Sequence, residues 1–304
     1  MRNAFDESEA RELVRRYSDL PEELALRIFT SRLLGSEPSL VLHGGGNTSV
    51  KLRIANLLGD EQEVLFIKGS GADLATIEPA GFAGLDLAHF RRFRALGELS
   101  EEEMENQLET HRLRADAPSP SVETLLHAFL PHRYVDHTHA DAILILTNQE
   151  NADELVLAAL GSRAAVLPYV MPGLPLARQV IECYEGNPGL EAIVSRSHGI
   201  FTFAEDAETS YSRMIEYVSR AESFIEERTR SVVSPARPGS AGSVETSSAA
   251  ARLVQTLRGA CAHRDSEGRL RRFVAELRTA PDIVEISRSG LARDLCRSGV
   301  LTPD

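Results

Sequence analysis

The chain predicts an α/β or α+β fold, because strand-like and helix-like segments interleave along its length. Two observations carry this. Short apolar runs at 39–45 (SLVLHGG), 48–54 (TSVKLRI) and 63–71 (EVLFIKGSG) are each punctuated by Gly or Asn, as strands bounded by turns are. Around them lie longer stretches whose apolar residues recur at helical spacing.

Taken in order, residues 8–34 place Leu13, Tyr17, Leu20, Leu24 and Ile28 on one helical stripe, with a break at Pro21. The three β-like runs follow. From 83 to 113 the pattern is helical again; SEEEMENQLET opens on Ser100, a good N-cap, with acids in the first turn. Residues 121–130 read as helix, 134–146 as strand and 151–160 as helix. A strand pair at 192–203 turns at His198-Gly199, and a helix covers 206–229. Residues 231–250 are small, with two prolines, and read as a linker between a main domain at 1–230 and an appendage at 251–304 of two or three short helices. The ending GVLTPD carries no helix stop, which fits the start of a longer architecture.

Composition narrows the function classes. The chain has 304 residues, 42% apolar, with Lys+Arg 33 against Asp+Glu 45 and a formal net charge of −12. A concentrated basic face for nucleic acid or a membrane surface is not indicated. The longest apolar run, 142–146, is far below the ~20 residues that cross a bilayer. The opening segment is charged and helix-patterned, unlike a signal peptide, so a cytoplasmic location is expected. Cys183, Cys261 and Cys296 are widely spaced and odd in number, which argues for a reducing compartment and against a disulfide framework or thiolate zinc site. Only two residues are lysine, Lys51 and Lys68.

Chemistry concentrates in PSPSVETLLHAFLPHRYVDHTHADAILIL. Alternate side chains of a strand share a face, so His137 and His139 would point the same way and could share a metal ion; a polar strand end is the alternative. Glu123 lies upstream at a helix start, either as metal ligand or proton-transfer base, or simply as an acid complementing the helix dipole. His198, before Gly199 at a turn, would project from a sheet edge; with the other two it would complete a His₃ site with an open position. Two Gly-rich turns hold both lysines. HGGGNTSVK (43–51) offers backbone amides with Asn47, Thr48 and Ser49, and IKGSGADL (67–74) offers Gly69, Ser70 and Gly71 beside Lys68. Such turns suit a phosphate, or are hairpin turns using Gly for positive φ. Neither matches a P-loop or a dinucleotide-binding Gly motif.

The pieces GGGNTSV, IKGSGADL, PSVETLLH, HTH and SHG, in this order across 40–225, resemble the class II aldolase/adducin family. The wording LHGGGNTSVK and DLATIEPAGF is similar to the aldolase half of bifunctional rhamnulose-1-phosphate aldolase/short-chain dehydrogenase proteins, although no Rossmann turn is present. The resemblance implies a three-layer α/β/α domain with a central, mainly antiparallel sheet. It implies one Zn²⁺ on His137, His139 and His198, with Glu123 as catalytic acid/base. Phosphate recognition maps onto Gly46, Asn47, Ser70, Gly71 and Ser121, joined by Ser49 and Lys68 from the turns themselves. Ser121-Val122-Glu123 departs from the Ser-Ser-Glu of L-fuculose-phosphate aldolases, and Lys68 stands where a neutral residue is usual, so that its cation compensates for the lost hydroxyl. Tyr169 has no transferable role. The implied reaction is cleavage of a ketose 1-phosphate, through an enediolate, to dihydroxyacetone phosphate and L-lactaldehyde. Competing readings are a sugar-phosphate 4-epimerase, a dehydratase or decarboxylase on the same fold, a Schiff-base aldolase using Lys68, and a non-catalytic adducin-like domain. The family also implies a homo-oligomer, a tetramer above all, with the site near a subunit boundary.

Overall fold

The computed structural model describes residues 1–229 together with a short antiparallel pairing of His263–Arg264 with Leu270–Arg271. That pairing is strand where the sequence reads as helix; the linker and the rest of the appendage lie outside the described residues. Residues 1–229 belong to one compact unit.

Its helices are α1 (Glu7–Arg16), α2 (Glu22–Gly35), α3 (Leu87–Arg91), α4 (Glu101–Thr110), α5 (Thr124–Phe129), α6 (Asp141–Thr147), α7 (Ala152–Leu160), α8 (Leu174–Gly186) and α9 (Ala207–Thr229). Its strands are β1 (Asn47–Ala55), β2 (Glu61–Lys68), β3 (Phe82–Asp86), β4 (Tyr134–Thr138), β5 (Ala164–Leu167), β6 (Ala192–Ser195) and β7 (Gly199–Ala204). Pro21 separates α1 from α2, and the Ser100 hydroxyl caps α4 by accepting from Glu103 N at 3.1 Å.

The strands form one sheet in the order β3-β2-β1-β4-β7-β6-β5, antiparallel except for the β5–β6 pair. Alternation along each strand sends neighbours to opposite faces. Tyr134, Val194 and Ile200 join one core with α2, α6, α7 and α9, while Val135, Ile193, Phe201 and Phe203 join a second core with α3, α4, α5 and α8. Two cores on two faces make the expected three-layer α/β/α arrangement, with a mainly antiparallel sheet.

Four local readings differ. Residues 39–45 form turns rather than a strand, with Leu40 and Val41 buried beneath the sheet. The supposed helix at 83–113 begins with β3, an edge strand paired to β2, before α3 and α4. The 134–146 run ends as a strand at Thr138, and α6 follows. β5 and α8 have no counterpart in the sequence reading.

Candidate active site

β1 and β4 run antiparallel with Asn47 opposite His137, and β4 pairs with β7 so that His137 faces Phe201. This register brings together residues more than 60 positions apart. His198 closes the turn from β6 to β7, and Glu123 sits immediately before α5. Nitrogens of His137, His139 and His198 lie within 4.8 Å of one another. The Glu123 carboxylate reaches across them, with Oε2 3.3 Å from His137 Nε2 and Oε1 3.2 Å from His198 Nε2.

Glu123 occupies a helix N-cap position, yet its side chain makes no capping bond. It accepts instead from Asn47 Nδ2 at 2.6 Å. Ser121 Oγ accepts from the other side of that amide at 3.1 Å and from Glu123 N at 3.3 Å, fixing the approach of the segment. The helix-dipole alternative for Glu123 is therefore set aside by where its oxygens point.

His137 is fully buried and stacks on Phe201 at 4.0 Å between ring centroids. Its Nδ1 lies 3.1 Å from the Ile200 carbonyl, which can only accept, so the proton resides there and Nε2 presents a bare lone pair. That lone pair lies 3.0 Å from His139 Nε2. Burial pushes the His137 pKa well below the ordinary imidazole value, outweighing the attraction of Glu123, and the ring is neutral. For Glu123, burial opposes ionisation, but the neighbouring imidazoles and the Asn47 amide outweigh it and hold the carboxyl below its usual range. Three convergent imidazoles beside a buried carboxylate are a donor set that could hold a divalent metal ion. Gly199 leaves the room: a Cβ there would fall 2.3 Å from the Thr138 carbonyl and 2.9 Å from His137 Cε1.

These groups form the floor of a cleft of about 610 Å³. Glu123, His139 and His198 line it, whereas His137 lies beneath. One wall is the glycine turn Gly44–Asn47, the other Lys68, Ser70 and Gly71, with Ser121 at the base. Gly46 takes φ +58°, and a Cβ would lie 2.7 Å from the His137 carbonyl, so no other residue fits against β4. Lys68 Nζ donates to the Gly44 carbonyl at 2.7 Å, tying the two turns together. The Ser70 N–H is taken by the Ser119 carbonyl at 2.8 Å, and the residue lines the cleft.

Two expectations need correction. Ser49 does not line the cleft: it is buried, with its hydroxyl 2.8 Å from His127 Nδ1, one pleat deeper than Asn47. Lys51 is not at the same end as Lys68: its amine donates to the His132 carbonyl at 2.6 Å and lines a different cavity. Asn47 is present, but its amide is spent on Glu123 and Ser121. The sequence reading missed Ser197, at φ +53° beside His198, and Pro172, both lining the cleft; only the adjacency of Ser197 to His198 signalled either.

Comparison with known proteins agrees with this architecture. Residues 28–225 match the family model described as Class II Aldolase and Adducin N-terminal domain. A curated relative from Bacillus subtilis (strain 168), named uncharacterized oxidoreductase YuxG, is 38% identical over 213 residues; the match covers 70% of this chain but 31% of that protein. The N-terminal class II aldolase domain of a conserved Thermoplasma acidophilum protein superposes with a TM-score of 0.67 at 39% identity, covering 74% of this chain and 99% of that one. A sugar-phosphate aldolase from Thermotoga maritima shares the fold at a TM-score of 0.51 and 18% identity, over 74% and 97% of the two chains. With a family model matched over most of its length and a structural relative aligned almost end to end, the chain belongs to the class II aldolase and adducin N-terminal domain family.

Proposed function

We propose that this chain is a zinc-dependent aldolase that cleaves a ketose 1-phosphate of the rhamnulose 1-phosphate type to dihydroxyacetone phosphate and L-lactaldehyde. The observation that carries the reading is the Glu123 carboxylate set among three convergent imidazoles at the floor of a cleft whose wall bears a lysine and two glycine turns. A zinc ion held by His137, His139 and His198 would act as Lewis acid, polarising the substrate carbonyl and stabilising the enediolate charge left by carbon–carbon cleavage.

The remaining work falls to the chain. Glu123, held ionised and oriented by Asn47, moves the proton at the enediolate carbon. Lys68, the Ser70 hydroxyl and the Gly71 backbone receive the phosphate, and its binding energy positions the reacting carbons over the histidines. Lys68 supplies positive charge to an otherwise acidic chain at the point where a small anion must enter. A cytoplasmic location and a homo-oligomer belong to the same reading. Val122 and Tyr169 at the cleft mouth, with Met171 beside them, are each more than half exposed, an apolar rim suited to a second copy of the chain.

The test is metal analysis of the purified protein with a triose-phosphate release assay on rhamnulose 1-phosphate and fuculose 1-phosphate. Cleavage that EDTA abolishes and Zn²⁺ restores is expected. Conversion without net cleavage would replace the aldolase by an epimerase, and cleavage that survives EDTA with a borohydride-trapped adduct would replace the metal by Lys68.

A further inference from the structure

Lys51 has no role in the reaction proposed above, and its surroundings are unusual for a lysine. It projects from β1 four residues beyond Asn47, about 13 Å along the strand, and is only 8% exposed. Its amine donates to the His132 carbonyl at 2.6 Å and borders a cavity of about 320 Å³ that shares no lining residue with the cleft. The charged groups around this cavity are Arg53, Arg91 and Arg133, and Glu23, Glu63 and Glu205. Arg91 Nη1 engages Glu63 at 2.9 Å, Arg53 pairs with Glu61 and Glu63, and Arg133 lies 3.6 Å from Glu23. A guanidinium has five N–H donors, so Arg91 retains capacity for a second anion.

We propose that Lys51 is a carbamylation site, at which the buried amine reversibly adds carbon dioxide and the resulting carbamate is held in this cavity by Arg91. The Nζ lone pair attacks the carbon of CO₂, forming an N–C bond while one C=O π pair moves onto oxygen. The nitrogen releases one proton to solvent, leaving –NH–COO⁻. No oxidant or leaving group is required. The remaining N–H keeps its bond to the His132 carbonyl, and the new carboxylate takes up space inside the cavity.

Two further properties fit this chemistry. CO₂ adds only to a neutral amine, and burial, reinforced by Arg91 and opposed by Glu205, lowers the Lys51 pKa to about 7. At pH 8 such an amine is mostly neutral, whereas a lysine of ordinary pKa is neutral to less than about one part in a hundred. Arg91 also lines the cavity beside Lys51, where its guanidinium is a counter-charge for a carbamate and not for an ammonium.

The full chain is equilibrated with ¹³C-bicarbonate at pH 8, trapped with triethyloxonium, digested and mapped by mass spectrometry. Ethyl carbamate is expected on the Lys51 peptide, with Lys68, the only other lysine, as internal comparator. In the untrapped protein a ¹³C carbamate resonance is expected that weakens several-fold at pH 6 and vanishes in Lys51→Gln. Arg91→Gln retains the amine and lowers the trapped fraction several-fold. Bicarbonate also raises the Tm of the wild type above that in chloride of equal ionic strength, and leaves Lys51→Gln unchanged. Absence of label on Lys51, or labelling no greater than on Lys68, overturns the proposal; a trapped fraction unchanged in Arg91→Gln overturns the assignment of Arg91 as its holder. Mapping of the wild type decides the first point even if the variants fold poorly.

Discussion

Glu123 joins the two halves of the candidate site, since one oxygen answers to Asn47 and His137 and the other to His198. Glu123→Gln preserves size and a carbonyl oxygen for Asn47 but removes the group that accepts a proton. The expected result is a fall in kcat of about 10²- to 10⁴-fold with zinc content unchanged; a loss of only a few-fold, or loss of metal, would assign Glu123 to ligation rather than proton transfer. The three histidines were legible in the sequence through the family resemblance, because His-x-His on a strand and His-Gly at a turn left a polar strand end equally open; the structure brings them together. Their partners were not. Asn47 and Ser49 lie on the same strand face and look equivalent in sequence, yet the first meets Glu123 and the second His127. That difference arises from β1–β4 register and the entry of α5, both long-range consequences of packing.

The strands that present these side chains are braced from the opposite face of the sheet. Asp136, next to His137 on β4, turns the other way and forms an ion pair with Arg27 of α2 at 2.6 Å, both fully buried. Ser210 of α9 donates to its second oxygen, Arg27 Nη2 donates to Thr30 Oγ1 at 2.6 Å, and Arg27 Nε has no hydrogen-bond partner. Breaking such a pair from one side leaves an uncompensated charge, so Asp136→Leu is expected to cost about 3–5 kcal/mol. Adding Arg27→Met removes the orphaned guanidinium and should recover most of that loss. Urea unfolding of the two variants measures this; a double variant no more stable than Asp136→Leu alone would mean the pair contributes more than its desolvation costs. At this scale the sequence was readable where punctuation is strong: Pro21 divides α1 from α2, and Ser100 starts α4. It failed in the apolar stretches 82–86 and 142–146. A short continuous apolar run fits a strand buried on both faces as well as a helix, and only the β2–β3 pairing and the change of direction after Thr138 separate them.

For the molecule as a whole, the net charge of −12 argues against a polyanion partner but does not say where a small anionic substrate would sit. In the proposed reading Lys68 and the glycine turns are that location, whereas Lys51, which looked in sequence like a second contributor, lies elsewhere on the same strand system. No helix among the described residues is long and apolar enough to cross a membrane. Beside the exposed Ser70 and Ser197, three exposed apolar residues, Val122, Tyr169 and Met171, border the opening of the cleft. Burying such a rim against a second copy would remove it from water and shield the cleft, and a carboxylate placed there would have to be desolvated without a partner. Light scattering of the wild type is therefore expected to give a homo-oligomer, and Val122→Glu combined with Met171→Glu to shift it towards monomer, with an unchanged far-ultraviolet circular dichroism spectrum. A wild-type monomer, or an oligomer indifferent to both charges, would show that the rim serves the substrate alone.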